Sequence, residues 1–365
     1  MNSFHRVILI LSLLPAFIFS GCATRTGTFA KRQGDEIIVA GKMVHTGTRV
    51  VTWMDPGGYD AYRTERRFAP FEESDFETSK EKVSDLRSPA RYNLRKAGLT
   101  TNEIERVRGG GWDLPTLQKV VDQFVLHYDV CGISRQCFKI LHDHRGLSVH
   151  FMLDVDGTIY QTLDLKERAF HATTSNTRSI GIEIANIGAY SLKDTNAFTK
   201  WYQQDDDGKT KLIFQDWLKP ESILTPNFVG HPARPEPVIG EVQGRELKQY
   251  DYTPQQYEAL VKLTATLCKI FPKLTCDYPR DASGNLVTKK LPDEQLENYQ
   301  GVLGHYHLQT NKTDPGPALQ WDYLIKNAQR LVDPANSPNK GMKLQVKNAS
   351  PKKDAVKNSI ERGTQ

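Results

Sequence analysis

The sequence has little cysteine and no surplus of charge outside its C-terminal end. Only five of its 365 residues are cysteine. The formal net charge of +5 comes entirely from residues 334–365, where seven basic residues stand against two acidic ones. A chain that is otherwise neutral argues against a surface built to bind nucleic acid. We expect this end, which is rich in Lys, Asn, Ser and Pro, to be solvated and disordered.

Long hydrophobic runs are also lacking. The apolar stretch from Val7 to Phe19 is shorter than the roughly 20 residues that a transmembrane helix needs. Basic residues precede it and Cys22 follows after two small residues, which predicts a secretory signal over residues 1–21. This end resembles the lipobox of bacterial lipoproteins, which implies that Cys22 is lipidated, although Phe19 stands where leucine is more usual. A signal peptide followed by a chance cysteine is the alternative.

The residue after Cys22 bears on the location of the protein. In lipoproteins of bacteria with two membranes, a neutral residue such as Ala23 at this position goes with sorting to the outer membrane. By this analogy we expect a protein of the cell envelope, anchored by lipid at the periplasmic face of the outer membrane.

The other four cysteines form an even number in a chain that we expect to be exported. Two disulfides are therefore predicted, and the sequence allows three pairings of Cys131, Cys137, Cys268 and Cys276. We prefer Cys131 with Cys137 and Cys268 with Cys276 because each pair is close in sequence. Spacings of C-x5-C and C-x7-C match structural zinc sites poorly.

Length and composition predict one large globular domain with additions. The glycine-rich segment Arg108–Trp112 interrupts the chain, and the apolar content rises after it. We therefore expect a main domain over residues 111–333, preceded by a polar extension over residues 22–110 in which the segments 36–45 and 48–54 form a hairpin. No internal repeat is visible.

The interleaving of strand and helix patterns predicts an α/β fold, with a mixed central sheet flanked by helices. The predicted helix with the most complete signals begins after Thr253 as its cap, with Pro254 at the first helical position. A second helix is expected with Ser134 as its cap. The segments with a strand pattern are 36–45, 48–54, 123–130, 148–164 (two strands and a turn) and 179–188, and those with a helix pattern are 134–144 and 252–271.

The strand over residues 179–188 places one carboxylate in an unusual setting. Alternation puts Glu183 on one face with Gly181 and Ala185, which are too small to fill the space beside it. An ionised carboxylate in apolar surroundings needs a cation or hydrogen bonds nearby. Glu183 is therefore predicted to line a pocket, and a solvent-facing position on an edge strand is the alternative.

Further ligand types lie at the ends of apolar segments. His127 and His305 are metal-ligating residues, and Asp314 follows in a loop of glycine and proline. A catalytic zinc site takes three such ligands and leaves one position open for water. Lys312 would bring a positive charge to the same place, suited to stabilising an oxyanion.

Four segments, taken in order, carry a family resemblance. FVLHYDV, DVDGTIYQTLD, AFHATTSNTRSIGIEIANIG and GHYHLQTNKTDPGPALQW resemble the zinc-dependent N-acetylmuramoyl-L-alanine amidases of the type 2 family, whose fold peptidoglycan recognition proteins share. The resemblance covers about His127 to Leu331 and is interrupted by an insertion over about 189–249. It implies the amidase fold and an enzyme that acts on peptidoglycan or muropeptides.

The resemblance also implies a single zinc ion with a defined ligand set. The matching positions are His127, His305 and Asp314. His305 lies seven residues before Lys312, one fewer than in similar lipoprotein amidases, so His307 competes with it as the second ligand.

Further roles follow from the same matching. Glu183 corresponds to the residue that acts as general base on the attacking water, and Lys312 to the one that stabilises the transition state. His171 and Asn176 resemble positions lining the substrate cleft. Some relatives have a tyrosine where this chain has Val149.

Other features of the chain are expected to be structural. The pair Cys131 and Cys137 resembles a local disulfide of peptidoglycan recognition proteins. We expect His142 and His144 on a helix surface and His150 on a strand beside the core.

Taken together, these implications predict hydrolysis of the amide bond between N-acetylmuramic acid and the L-alanine of the stem peptide. The expected protein is a monomer attached to the membrane through its lipid and does not bind nucleic acid. Two alternatives stay open: a peptidoglycan-binding lipoprotein without activity, and a zinc peptidase that cuts within the stem peptide.

Overall fold

The computed structural model describes residues 26–86, 88–194, 196–335 and 343–344. The chain divides into two compact units, Met1–Gln33 and Gly34–Gln365. The predicted signal peptide, Cys22 and most of the basic end lie outside the described residues. Within the described ranges, no helix combines the length and apolar character needed to cross a membrane.

The described residues from Gly34 onward form fifteen strands and eight α-helices. The strands are β1 (Glu36–Val39), β2 (Lys42–His45), β3 (Val50–Thr52), β4 (Tyr92–Leu94), β5 (Gln123–Tyr128), β6 (Phe151–Leu153), β7 (Ile159–Gln161), β8 (Glu167–Ala169), β9 (Ser179–Ile184), β10 (Tyr190–Ser191), β11 (Tyr202–Gln204), β12 (Thr210–Leu212), β13 (Val238–Val242), β14 (Arg245–Gln249) and β15 (Gly301–Gly304). The α-helices are α1 (Phe76–Lys82), α2 (Thr101–Arg108), α3 (Leu114–Val120), α4 (Ser134–Phe138), α5 (Asn196–Thr199), α6 (Pro254–Ile270), α7 (Asp293–Asn298) and α8 (Trp321–Val332).

A mixed six-stranded sheet in the order β15-β5-β9-β6-β7-β3 forms the centre of the larger unit. The pairs β15/β5, β5/β9, β9/β6 and β7/β3 are parallel, whereas β6/β7 is antiparallel. This arrangement confirms the predicted α/β class with a mixed central sheet. It also brings the carboxyl ends of β15, β5 and β9, which come from distant parts of the sequence, to one edge of the sheet.

Strand β9 and helix α6 share the largest apolar core. Ile180, Ile182 and Ile184, which alternate along β9, are fully buried there together with Leu263 of α6. Burying such a side chain contributes roughly 1.5–3 kcal/mol. Helix α6 begins as predicted, because Thr253 and Gln256 form a reciprocal capping box with Pro254 in the first turn.

The helix predicted from Ser134 differs from expectation. Ile133 occupies the cap position and Ser134 is the first helical residue, with no side-chain hydrogen bond to the helix start. The α-helix gives way to a π-helical turn over Lys139–His144. The prediction that His142 lies on a surface is wrong: this side chain is buried, with Nε2 2.9 Å from the carbonyl oxygen of Arg63.

Residues 34–110 contribute to the same compact unit. The hairpin expected between the segments 36–45 and 48–54 is not formed. Residues 36–45 instead fold on themselves as the antiparallel pair β1 and β2, and the second segment supplies β3, which pairs with β7 of the central sheet. Two arginines of this region, Arg91 and Arg95, are fully buried. The Arg95 guanidinium donates hydrogen bonds to the carbonyl oxygen of Leu165, just before β8, and to three carbonyl oxygens between Asn176 and the start of β9.

Candidate active site

The pairing of β5 with β9 places two of the predicted functional residues side by side. His127 of β5 is the partner of Glu183 of β9 in the parallel register. Partners in such a register point to the same face, so both side chains face the same region. On the other side of β5, Gly304 of β15 pairs with Leu126, so that His305 follows directly beside His127.

Three side-chain atoms converge at this edge of the sheet. Nδ1 of His127 lies 2.9 Å from Nδ1 of His305, and each nitrogen lies 2.9 Å from Oδ2 of Asp314. All three residues are buried. The structure thus brings together the three predicted metal ligands, although the two histidines are 178 positions apart in sequence.

Hydrogen bonds alone cannot satisfy these three contacts. For the two imidazole nitrogens to bond to each other, one must carry a proton and the other must offer its lone pair. The nitrogen with the lone pair then faces the ionised Asp314 oxygen, where two electron pairs repel. A cation bound by all three atoms removes this conflict, so the donor set fits a metal ion.

Neighbouring groups orient both imidazoles. Nε2 of His305 lies 2.8 Å from Oε1 of Gln309, an acceptor that keeps the proton on Nε2 and leaves Nδ1 with its lone pair. Nε2 of His127 lies 3.0 Å from Nδ1 of His171, whose Nε2 is 3.3 Å from the hydroxyl of Ser179. Such contacts to the second nitrogen are typical of metal-binding histidines.

Neither Gln309 nor the orienting contact of His171 was predicted from the sequence. Gln309 lies four residues after His305, just beyond the 3₁₀ turn His305–His307. This four-residue spacing is the sequence feature that could have indicated a contact between the two side chains. No sequence pattern indicated that His171 would contact His127.

Electrostatics give the site residues different protonation states. Burial and the neighbouring His305 lower the pKa of His127 to about 4. Burial disfavours the charged form of Asp314, but the two histidines hold the pKa of this carboxyl well below its usual value. Burial, together with the charges of Asp314 and Asp129, raises the pKa of Glu183 well above its usual value. At neutral pH His127 is therefore neutral and Asp314 ionised, which are their metal-binding states, while Glu183 readily takes up a proton.

A glycine on β9 makes room for His171. A Cβ atom at Gly181 would lie 2.4 Å from Cε1 and Nδ1 of the His171 ring. The ring packs directly on the strand backbone, two residues before Glu183. The small size of Gly181, which predicted a pocket beside Glu183, thus makes room for the ring of His171.

The converging residues line a cavity of about 190 Å³. Its walls include Glu183, Lys312 and His171 as well as the exposed Arg145. Asn176, expected in the substrate cleft, does not line this cavity. It is buried, and its Oδ1 accepts hydrogen bonds from the backbone N–H groups of His171 and Ala172 at 3.0 and 2.6 Å.

His307 lies close in sequence but faces away from the converging atoms. Its Nδ1 accepts the backbone N–H of Gly304 at 2.9 Å, and its Nε2 donates to the carbonyl oxygen of Val287 at 2.6 Å. Both nitrogens are therefore occupied, and His305 is the histidine that reaches Asp314.

The four cysteines of the described chain are thiols in the structure. The sulfurs of Cys131 and Cys137 lie within 4.8 Å of each other, on the wall of the same cavity. Cys268 and Cys276 also interact through their side chains. The cysteines that lie close together in space are thus the same two pairs that were preferred for their closeness in sequence. The formation of a disulfide within each pair stays a prediction.

Comparison of the sequence with protein-family models finds one match. The model for N-acetylmuramoyl-L-alanine amidase, Amidase_2, matches residues 117–317, which is more than half of the chain and includes every converging residue. The chain belongs to the Amidase_2 family. This amidase therefore hydrolyses the amide bond between N-acetylmuramic acid and L-alanine in peptidoglycan or its fragments.

Several solved structures are similar to this amidase at low identity. A selenomethionine derivative of AmpD is 16% identical, with a TM-score of 0.29, and the match covers 66% of this chain and 90% of AmpD. AmiD from E. coli, an N-acetylmuramyl-L-alanine amidase, is 17% identical with a TM-score of 0.32 and 57% of each chain covered. The endolysin LysCS from Clostridium intestinale is 15% identical with a TM-score of 0.28, covering 57% and 83%. No curated protein sequence matches the chain.

Proposed function

We propose that this amidase is a hydrolase with one zinc ion, held by His127, His305 and Asp314. The observation that carries the proposal is the convergence of three ligand atoms at mutual distances of 2.9 Å, beside a carboxylate on the adjacent strand. Two imidazoles and one carboxylate suit zinc and leave a position open for a reactant. When bound, zinc would polarise the scissile carbonyl and lower the pKa of a water molecule.

Glu183 is proposed to move the protons of the reaction. Its carboxylate points to the same face as His127 and lines the cavity. The raised pKa of this group favours accepting the proton of the attacking water and then giving it to the departing amide nitrogen of L-alanine. Water adds to the lactyl carbonyl and the C–N bond breaks, without a covalent enzyme intermediate.

Lys312 and His171 are proposed to support this chemistry from the cavity wall. The ammonium group of Lys312 would stabilise the negative charge that develops on the carbonyl oxygen. His171 would contribute to the substrate cleft and hold the imidazole of His127 in orientation.

The location of the enzyme is also a proposal and rests on sequence alone. A signal peptide over residues 1–21 and lipidation of Cys22 would anchor a monomeric enzyme at the periplasmic face of the outer membrane. Its substrate, peptidoglycan or muropeptides released from it, would then be within reach of the anchored domain.

The experiment that tests the mechanism is product analysis on muropeptides. Chelated protein should release little product, and added zinc should restore release of free stem peptides that begin with L-alanine. The Glu183→Gln variant should bind zinc as the original chain does but lose roughly 10²–10⁴-fold in kcat. Glu246→Gln, on the exposed part of β14, is the matched control.

Each alternative has its own outcome in this assay. Intact muropeptides with zinc present, together with measurable binding, would favour a non-catalytic binding protein. Fragments cut within the stem peptide would favour a peptidase. Full activity of the Glu183→Gln variant would contradict the role given to that residue.

A further inference from the structure

A hairpin from the inserted region reaches the loop that carries the metal ligands. Strands β13 and β14 pair with Val242 opposite Arg245, so that Gln243 and Gly244 form a two-residue turn. The amide group of Gln243 lies against the loop between His305 and Asp314. The sequence alone gave this insertion no predicted role.

The Gln243 amide faces three carbonyl oxygens of that loop. Nε2 lies 2.8 Å from the carbonyl oxygens of Tyr306 and Gln309 and 3.3 Å from that of Lys312. These residues span the stretch from the turn of His305 to the catalytic lysine. The side chain of Gln243 therefore ties the beginning of the loop to its end.

Gln243 is itself held from the other side. Its backbone N–H donates to the carbonyl oxygen of Thr288 at 2.9 Å, and its Oε1 accepts the backbone N–H of Lys290 at 3.2 Å. The oxygen and nitrogen of the amide are thereby assigned distinct partners, which removes the freedom to rotate. Because the Gln243 amide is held in one orientation, it can in turn hold the loop between His305 and Asp314 in place.

The identity of the residue runs against the local preference of the turn. Gln243 has a backbone φ of +56° and Gly244 one of +70°, the left-handed conformation at both central positions of the hairpin. Asn and Gly are the residues favoured there. Gln has one more methylene than Asn, and this extra length is what carries the amide to the loop. A residue that breaks a local rule in this way indicates a function set by tertiary contacts.

The loop contacts lead directly to the proposed metal ligands. The backbone of Gln309, held by Gln243, positions the side chain whose Oε1 accepts from Nε2 of His305. The backbone N–H of Lys312 bonds to the carbonyl oxygen of Gln309 at 3.2 Å. Displacing this part of the loop would therefore move two groups: the Gln309 amide, which orients His305, and the ammonium group of Lys312.

A second anchor from the end of the same hairpin holds the other side of the loop. Gln249 Nε2 and the hydroxyl of Tyr252 donate to the carbonyl oxygen of Pro315 at 3.2 and 2.8 Å. Gly316 has a backbone φ of +81°, which favours glycine, and a Cβ atom there would lie 2.1 Å from Oε1 of Gln249. The segment from Gln243 to Tyr252 thus braces both sides of Asp314.

We propose that Gln243 is a positioning residue of this amidase: its amide fixes the loop that sets His305, Lys312 and Asp314 in relation to one another. The proposal rests on the zinc hydrolysis proposed above. It predicts that loss of the amide lowers turnover and weakens zinc binding without unfolding the hairpin.

The test compares three variants of the purified chain. Gln243→Asn keeps an amide and suits the turn, but it is too short to reach the loop. Gln243→Met keeps most of the side-chain length and removes the amide. Arg245→Ala, exposed on the same hairpin, is the matched control.

Both Gln243 variants should lose roughly 10–100-fold in kcat with little change in KM, and should bind zinc roughly tenfold more weakly in competition with a chromophoric chelator. The backbone amides of residues 306–312 should exchange hydrogen faster in both variants than in the original chain, with metal removed. Arg245→Ala should match the original chain in all three measurements.

Unchanged kcat, zinc affinity and exchange in the Met variant would overturn the proposal, as would equal losses in Arg245→Ala. A rise in KM alone would also overturn it, because the hairpin would then bind substrate instead of positioning the loop. If the Asn variant fails to fold, the Met variant decides. If the original chain binds no zinc and cleaves nothing, the proposed function fails, whereas the exchange measurement still decides the role of Gln243.

Discussion

The position of one imidazole depends on the absence of one methyl group. His171 packs on the backbone at Gly181 and contacts the ring of His127, so an added Cβ displaces it from both. We expect Gly181→Ala to weaken zinc binding and to lower kcat/KM, each by about tenfold or more, because His127 loses the partner that orients it. Competition with a chromophoric chelator and muropeptide cleavage measure the two effects.

Gly109→Ala is a suitable control for this substitution. A Cβ at Gly109 would meet its nearest neighbour at 3.5 Å, an ordinary contact, and the residue caps a helix far along the chain from β9. Normal zinc affinity in Gly181→Ala would show that the contact between the two rings does not orient the ligand.

His150 makes stability depend on pH. Its Nδ1 accepts the backbone N–H of Gly181, its Nε2 faces the carbonyl oxygen of Glu167, and the Arg95 guanidinium lies 3.0 Å from the same nitrogen. Burial and this positive charge lower the pKa of His150 to about 3. Between about pH 3 and pH 6.5 the ring is therefore neutral in the folded chain, whereas the unfolded chain, with a pKa of about 6.5, has bound a proton.

The sign of the effect follows from these two values. Between about pH 6.5 and pH 3 the unfolded state binds more protons, so the free energy of unfolding falls as the pH falls. We expect the metal-free chain to lose about 3 kcal/mol through His150 between pH 6.5 and pH 4. Urea unfolding of His150→Gln should show a shallower decline over this range. An equal slope in both proteins would contradict the assignment.

At the scale of elements, a buried arginine joins the N-terminal region to the segment before β9. Arg95 follows β4, and its donors lie 2.8–3.4 Å from the carbonyl oxygens of Leu165, Asn176, Thr177 and Ser179. This segment carries His171. The region before residue 110 therefore supports the loop whose His171 contacts the proposed metal ligand His127.

Replacing this guanidinium should be costly even when the charge is kept. We expect Arg95→Lys to lower the free energy of unfolding by about 3 kcal/mol, because an ammonium group cannot reproduce a planar fork to four carbonyls and leaves some of them unpaired. Arg108→Lys, at an exposed arginine that pairs with Glu105 on its own helix, should cost less than about 0.5 kcal/mol. Similar losses in the two variants, measured by urea unfolding, would argue against a bracing role for Arg95.

At the scale of the whole molecule, the expected export of the chain and its four remaining cysteines together predict two disulfide bonds. In an oxidising compartment we expect Cys131 to pair with Cys137 and Cys268 with Cys276, each short loop contributing about 2 kcal/mol. The intact mass of protein recovered from the cell envelope should rise by four hydrogens on reduction. Peptide mapping identifies the pairs, and a cross-link between the two regions would show that proximity in sequence was the wrong guide.

The sequence by itself determined the chemistry and much of the local structure. The capping residues of α6, the alternation along β9 and the identities of His127, Glu183, Asp314 and Lys312 could be read without coordinates. These signals are local, because a cap or an alternating face depends on residues a few positions apart. The same locality explains the error at Ser134, where a residue suited to capping became the first residue of the helix.

Only the tertiary structure decided which distant groups meet. The order β15-β5-β9 brings His305 beside His127, and no local pattern specifies that order. Contacts between segments far apart in the chain also decide three further features. They select His305 over His307, place the ring of His171 on Gly181, and bring Gln243 to the loop between His305 and Asp314. Residue type thus limits what chemistry is available, while the packing of the sheet and its insertions determines which atoms are close enough to perform it.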